Sequence, residues 1–436
     1  MSATFERTEA AVNSQLGRAV PRRDGPAKVK GEAQYVDDLP RDGVWIGATI
    51  RSPSPHGVLR GLRFAADFDP GSVVVVTAAD IPGENVVPVV LRDQPSLADK
   101  VVRYVGEPVA LVAAPDEETL RRALDRISVD VDPLPACFDI DDALSGRVRV
   151  YGEDNLLRRI EIQKGDCDEA LDGAEVVVEG EYFTGAQEHV YLEPQGMQAE
   201  PMGDGMLLRG SMQCPNYLVE GVAVVLGWAP ERVRVIPCTT GGGFGGKEDF
   251  PTMVAGHAAL LAWKAKRPVR LIYSRVEDLA FSSKRHPSRV RHRTGWTRDG
   301  RLVAMRIDVD LDGGAYGTLS PLVLQRAAVH AAGPYRCDHV TIVARAVATN
   351  HPPRGAFRGF GAPQSLFALE AHMDRCAAQL KIDPIELRRR NHLGPGDSLA
   401  TGQCVHGDAA VGEVLERALA ESRYFARRAE FDRHNA

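Results

Sequence analysis

Residues Thr239 to Glu248 read Thr-Thr-Gly-Gly-Gly-Phe-Gly-Gly-Lys-Glu and hold the densest chemistry in the chain. Glycine fills every position from Gly241 to Gly246 except Phe244, so the main chain can approach a ligand without Cβ interference. A short strand expected at Arg232–Pro237 leads in, and an Ala-rich helix expected at Thr252–Lys266, closed by Pro268, leads out. Strand, glycine loop and helix together aim backbone N–H groups at one spot and add the positive end of a helix dipole, a cradle for an oxyanion or phosphate. Gly241 to Lys247 also satisfies the G-x-x-x-x-G-K pattern of nucleotide hydrolases. That pattern continues with a Ser or Thr whose hydroxyl holds magnesium, whereas this chain places Glu248 there, a carboxylate that repels phosphates. A phosphate-binding hydrolase is therefore disfavoured. A plain structural turn needs fewer glycines than this loop contains.

Two other segments match the loop in character. Gly210-Ser211-Met212-Gln213-Cys214-Pro215-Asn216 carries a neutral amide between an expected strand end and the helix expected at Tyr217–Trp228. Arg354-Gly355-Ala356-Phe357-Arg358-Gly359-Phe360-Gly361 is a second glycine loop that opens the helix expected at Ala362–Leu380, with Pro363 suited to its first turn. Two glycine loops, an amide and planar aromatics suit a large, flat, anionic cofactor better than ATP.

These segments need a framework. At 436 residues the chain is long enough for two or three domains. Up to about residue 150 the pattern alternates strands (Val44–Arg51, Val73–Thr77, Pro108–Ala114) with an acid-started helix at Asp116–Ile127, a small mixed domain. Leu144–Asp154 reads as a linker. Beyond it, strands are expected at Glu175–Phe183, Val269–Tyr273 and Leu302–Leu311, and a last helix at Val411–Phe425. The class is α+β. A net charge of -6 argues against a dedicated nucleic-acid binder, and the Arg-rich end from Arg388 to Arg428 reads as solvated helix faces. No run approaches the roughly 20 apolar residues of a membrane span, and Met1–Asp24 contains no apolar signal core, so a cytoplasmic setting is expected. Seven cysteines with no C-x-x-C spacing argue against an iron–sulfur cluster or structural zinc within this chain.

With these motifs the chain resembles the molybdenum-binding subunit of the xanthine dehydrogenase and aldehyde oxidase family. Gly31-Glu32-Ala33-Gln34-Tyr35-Val36-Asp37-Asp38 and Tyr104-Val105-Gly106-Glu107-Pro108-Val109-Ala110 are similar to that family's hammerhead domain. Glu188-His189-Val190-Tyr191-Leu192-Glu193-Pro194-Gln195, the loop Gly241–Glu248 and Phe357–Gly361 are similar to its cofactor-binding motifs, in family order. The resemblance implies an N-terminal α/β hammerhead domain over 1–150 and a first molybdopterin-binding α/β domain over 151–436. The activity it implies is hydroxylation of a carbon beside a ring nitrogen, or of an aldehyde carbon, with oxygen drawn from water. The metal is then carried by the pterin dithiolene, with no direct protein ligand, and the pterin is open to its cytosine dinucleotide form.

By position, Gln213 resembles the glutamine that hydrogen-bonds an oxo ligand of the metal. Gly243, Phe244 and Gly245 resemble the loop packed beside metal and pterin, and Arg358 the arginine whose backbone contacts the cofactor. Phe360 resembles the ring against which a flat substrate packs. Glu248 and Arg326 match purine-binding positions, and an arginine there stabilises negative charge developing on a heterocycle as hydride leaves. Each admits a plainer role: Gln213 as a helix cap, Glu248 as a first-turn acid, Arg326 as a structural ion-pair partner, Phe360 as core, and His189 and Glu193 as structural residues.

The family's usual subunit is nearly twice this length, and its second half carries further pterin loops and the glutamate that serves as general base. The resemblance therefore implies a second molybdopterin-binding subunit, as in nicotinate dehydrogenases, which split the large subunit into two chains. It also implies an iron–sulfur subunit with 2Fe-2S clusters and a FAD subunit. Glu248 with Arg326 favours a purine- or nicotinate-like N-heteroaromatic substrate. An aldehyde-oxidising member and a cofactor-binding remnant without turnover are the alternatives.

Overall fold

The computed structural model describes residues 17–407 and 409–436. The start of the polar Met1–Asp24 stretch lies outside the described residues. Two sheets organise the chain. The larger has seven strands in the order Val233–Pro237, Gly205–Gly210, Gly196–Met202, Val269–Ile272, Trp45–Arg51, Pro108–Ala114 and Val74–Thr77. Trp45–Arg51 pairs in parallel with Val269–Ile272, so one sheet runs through both of the sequence units divided at about residue 150. The second sheet has five strands in the order Leu156–Lys164, His339–Ala348, Leu302–Gly314, Ser288–Trp296 and Val176–Thr184. A small three-stranded sheet joins Val101–Val102, Gly57–Phe64 and Ile127–Pro133.

Each large sheet has its own apolar core. On the seven-stranded sheet the helix Phe250–Ala265 is apolar nearly all round, with Val254, Ala255, Ala258, Leu260 and Leu261 fully buried, as a helix between a sheet and a second helix must be. Its neighbour Pro215–Leu226 crosses it so closely that a Cβ on Gly221 would meet Thr252 Cγ2 at 2.4 Å. On the five-stranded sheet the helices Ser320–His330 and Ala362–Leu380 cover one face over Ile307, Val309, Ile342 and Ala344.

In both sheets the functional loops leave the carboxyl ends of parallel neighbours, the place where open α/β sheets bind ligands. Gly205–Gly210 and Val233–Pro237 are parallel, and they feed the Gln213 segment and the first glycine loop. Leu302–Gly314 and His339–Ala348 are parallel, and the latter leads to the second glycine loop. The helix Ala362–Leu380 and the strand Pro108–Ala114 begin and end where the sequence pattern puts them. The expected helix Val411–Phe425 instead breaks into Val411–Glu421 and Tyr424–Asn435, because Arg423 takes a left-handed backbone (φ 53°).

Candidate functional site

The two glycine loops meet. Arg358 N–H donates to Phe244 O at 2.9 Å, and a Cβ on Gly245 would stand 2.8 Å from the carbonyl of Ala356. His189 ties the junction: its Nε2 donates to Ala356 O at 2.7 Å and its ring stacks on Phe357 at 4.4 Å. Burial lowers the His189 pKa, so the imidazole is neutral and serves as a brace. Both backbone groups of Arg358 are engaged, the N–H by Phe244 and the carbonyl by Arg285 Nη2 at 2.9 Å. Within the chain Arg358 thus acts as the link between loops.

Gln213 lies across the first loop. Its N–H donates to Lys247 O at 2.6 Å, and its Oε1 accepts from Gly245 N–H at 2.9 Å and Lys247 N–H at 3.3 Å. It caps no helix: Cys214 occupies the N-cap of Pro215–Leu226 and makes no side-chain cap bond. With Oε1 committed to the loop, Nε2 is the end left to donate outward, and it has no partner among the described residues. The N–H groups of Gly242, Gly243 and Phe244 likewise have none among the described residues. A Cβ on Gly243 would meet Gln213 Oε1 at 2.5 Å, so glycine is what lets the amide lie on the loop. Phe244 and Phe360 each sit in a left-handed backbone (φ 54° and 53°), which costs a non-glycine residue about 1 kcal/mol. Phe244 is half-exposed on its loop.

Lys247 points the other way. Its side chain is 0% exposed, and Nζ donates to Glu193 Oε2 and Ser211 Oγ, each at 2.9 Å. A phosphate-binding lysine must reach its ligand, so this geometry opposes the nucleotide-hydrolase reading.

Arg326 and Phe360 share one hollow of about 440 Å³, with Leu322, Gln325, Val329 and His330. Arg326 is exposed, and no acidic partner of it stands among the described residues. Phe360 packs one side on the core of the five-stranded sheet and offers the other to the hollow. Glu248 precedes the helix Phe250–Ala265 rather than standing in its first turn. It is half-buried, its pKa is raised by burial, and its charge is felt at Cys214 and Tyr217. No described contact joins it to Arg326 or Phe360.

Sequence reasoning missed Asp249. It is buried, its carboxyl is pushed up to about 7 by burial with Glu248 adding to the rise, and its Oδ1 has no partner among the described residues. A Cβ on Gly355 would reach both Ser283 and Asp249 Oδ1, so this acid lies under the meeting point of the loops. A second acid directly after Lys-Glu was its one visible signal.

The site is a cradle of backbone N–H groups and one amide, flanked by flat rings. Thiolates and imidazoles are not among these donors, and among the described residues no group of three or more His, Cys, Asp or Glu could hold a metal ion. This set fits an extended anionic ligand that brings its own metal. No helix among the described residues is long and apolar enough to cross a membrane.

Comparison with known proteins bears on the same segments. The molybdopterin cofactor-binding domain family matches residues 150–392. The a/b hammerhead domain of aldehyde oxidase and xanthine dehydrogenase matches residues 30–135. The chain is 36% identical over 406 residues to the nicotinate dehydrogenase large molybdopterin subunit of Eubacterium barkeri, covering 92% of this chain and 95% of that one. It is 37% identical over 379 residues to a probable xanthine dehydrogenase chain from Bacillus subtilis (strain 168), covering 86% of this chain but 51% of that one. Its fold superposes on the aldehyde oxidoreductase from Desulfovibrio gigas with TM-score 0.85 at 29% identity, covering 93% of this chain and 46% of that one. Quinoline 2-oxidoreductase from Pseudomonas putida 86 gives TM-score 0.85 at 27% identity, covering 96% and 56%. The chain thus spans nearly all of the first relative and about half of the other three.

Proposed function

The chain belongs to the family of molybdopterin-binding aldehyde oxidases and xanthine dehydrogenases, and from that premise we propose that it forms one wall of a heteromeric molybdenum hydroxylase that oxidises an N-heteroaromatic ring. The observation that carries this reading is the joined pair of glycine loops with the Gln213 amide laid across one of them. When bound, the molybdopterin supplies transfer of water-derived oxygen to carbon and takes up the electrons. Gln213 would hold its metal end through Nε2, and the N–H groups of Gly242, Gly243 and Phe244 would meet its anionic groups. Gly245 lets the loops close together, and Arg358 braces Phe244 from the second loop. Phe360 offers a face to a flat substrate.

Arg326 would stabilise negative charge on the ring, a role supported by its exposed guanidinium beside Phe360, which has no acidic partner among the described residues. Glu248, whose carboxyl is raised by burial, would hold or share a proton at a ring nitrogen. The relative named as a nicotinate dehydrogenase and the structure named as a quinoline oxidoreductase support the substrate class. The rest of the proposal is a second molybdopterin-binding chain carrying the glutamate base, an iron–sulfur chain with 2Fe-2S clusters, a FAD chain and a cytoplasmic setting. Within the chain, 1–150 and 151–436 are proposed as the hammerhead and first molybdopterin-binding units, with the pterin open to its mononucleotide or cytosine dinucleotide form.

Purified with its native partners, the protein should bring down molybdenum, iron and flavin in one complex. A well-expressed complex free of molybdenum would overturn the proposal. Arg326→Met should slow turnover of an N-heteroaromatic substrate by about 10²-fold, the usual cost of removing one transition-state charge stabiliser, and that of an aldehyde much less. Equal losses on both substrates would remove the ring-stabilising role.

A further inference from the structure

Beneath the first glycine loop, one carboxylate oxygen gathers three donors, two from the ends of that loop and one from the segment that carries Gln213. Glu193 Oε2 accepts from Gly241 N–H at 2.8 Å, Ser211 Oγ–H at 2.6 Å and Lys247 Nζ at 2.9 Å. Gly241 begins the loop, Lys247 ends it, and Ser211 lies two residues before Gln213. The Lys247 ammonium also donates to Ser211 Oγ at 2.9 Å. The Lys247 main chain bonds Gln213 on both sides, accepting from Gln213 N–H and donating to Gln213 Oε1. The fit is close: a Cβ on Gly241 would stand 2.5 Å from Glu193 Cβ.

We propose that Glu193 and the buried Lys247 form a largely enclosed positioning pair that fixes the loop's two ends and, through Ser211 and the Lys247 main chain, the direction of the Gln213 amide. Three features support it. Charge-assisted hydrogen bonds are shorter and roughly twice as strong as neutral ones, so a carboxylate hub holds a glycine-rich backbone that has little stiffness of its own. A buried ion pair adds little net stability over apolar residues of the same volume, so stability alone gives little reason for this pair. A second set of bonds completes the hold: Gln195 Nε2 donates to Gly246 O at 2.7 Å and to Tyr191 Oη at 2.8 Å, and Tyr191 Oη–H donates to Asp278 Oδ1 at 2.7 Å. The lysine of the phosphate-loop-like pattern thus acts from below the loop, on its shape.

This role rests on the reading of the loop as a molybdopterin wall. The test uses the complete complex carrying Glu193→Gln with Lys247→Met, a neutral pair that leaves Gly241 N–H and Ser211 Oγ an acceptor but releases the loop's far end. Cofactor loss is followed as molybdenum retained through gel filtration and as fluorescence of the released pterin, beside the urea unfolding midpoint. We expect a near-unaltered midpoint, cofactor loss 10–100-fold faster, the range typical of removing a residue that orients a metal's surroundings, and a lower kcat at unchanged KM. Lys247→Arg, which keeps charge and donors, should recover most of the retention. Retention equal to the unaltered protein in the double variant overturns the proposal. If the double variant does not fold, Ser211→Ala decides, with faster loss supporting the pair and an unchanged rate overturning it. A complex that holds no molybdenum even unaltered would instead defeat the cofactor reading itself.

Discussion

Gly245→Ala is expected to lower kcat by about two orders of magnitude and to strip most of the molybdenum from the complex. Gly245 has φ 104°, a backbone region almost confined to glycine, so any side chain there adds strain of about 1–3 kcal/mol. The new methyl has no room: it would lie 2.8 Å from Ala356 C and O and 2.9 Å from Phe357 N. These are backbone atoms of the second loop, pinned by His189 and by the Arg358–Phe244 bond, so they cannot rotate aside as a flexible side chain would. Relief comes only if the loops part, which breaks the Gly245 N–H bond to Gln213 Oε1 and turns the amide away. A displacement of about 1 Å near reacting groups commonly costs about 10²-fold in rate. Gly256→Ala is the matched control. That glycine lies in the Phe250–Ala265 helix, where an added Cβ has its nearest contact at 3.6 Å, so alanine should stabilise by about 0.5–1 kcal/mol. Molybdenum analysis and steady-state turnover on both variants check the contrast. Full activity in Gly245→Ala would mean that the loops need not touch.

The contrast also marks what a sequence can disclose. Glycine density, the Gln213 amide and the strand-to-helix transitions are local, so Gly241–Glu248, Gly210–Asn216 and the second loop could be picked out directly. What holds them is not local. Glu193 and Lys247 are 54 residues apart and His189 and Ala356 are 167 apart, and no spacing rule connects such pairs. The seven-stranded sheet was hidden for the same reason, since pairing Trp45 with Val269 depends on the whole chain. The strand Ser288–Trp296 was hidden differently. It alternates Arg289, Arg291 and Arg293 with Val290, His292 and Thr294, a period of two that its arginines disguise as a polar loop. Those arginines are anchored by carboxylates on neighbouring elements: Asp310 takes Arg289 at 3.1 Å and Arg291 at 3.3 Å, and Glu179 takes Arg293 at 3.2 Å.

The inner side of that strand leads to the second large effect, a loss of stability in mild acid. His292 and His372, the latter on the helix Ala362–Leu380, stack at 4.9 Å in the core, and neither nitrogen of His292 has a partner among the described residues. Burial forces both rings neutral, lowering His292 to about 3 and His372 to about 4. Burial does the same to His257, at about 4, and to His286, at about 3. In the unfolded chain a histidine titrates near 6.5. Below that pH the unfolded state takes up protons that the folded state refuses, so stability falls as pH drops from 6.5 towards 4. Raised acids work in the opposite sense, and there the rise of Glu248 is set against the fall of His189. Burial raises Glu107 and Asp249 to about 7, so the folded state holds their protons where the unfolded state has released them. Four histidines against two acids leave a net uptake approaching two protons on unfolding near pH 5, or about 3 kcal/mol lost between pH 6.5 and 5. Urea unfolding midpoints across that range read the loss directly. His292→Phe keeps the stack and removes a ring whose nitrogens have no partner among the described residues, so it should recover about 1.5 kcal/mol of the acid loss. A pH dependence identical to that of the unaltered chain would mean that the His292 ring is already charged in the fold, and that the core at this point admits water.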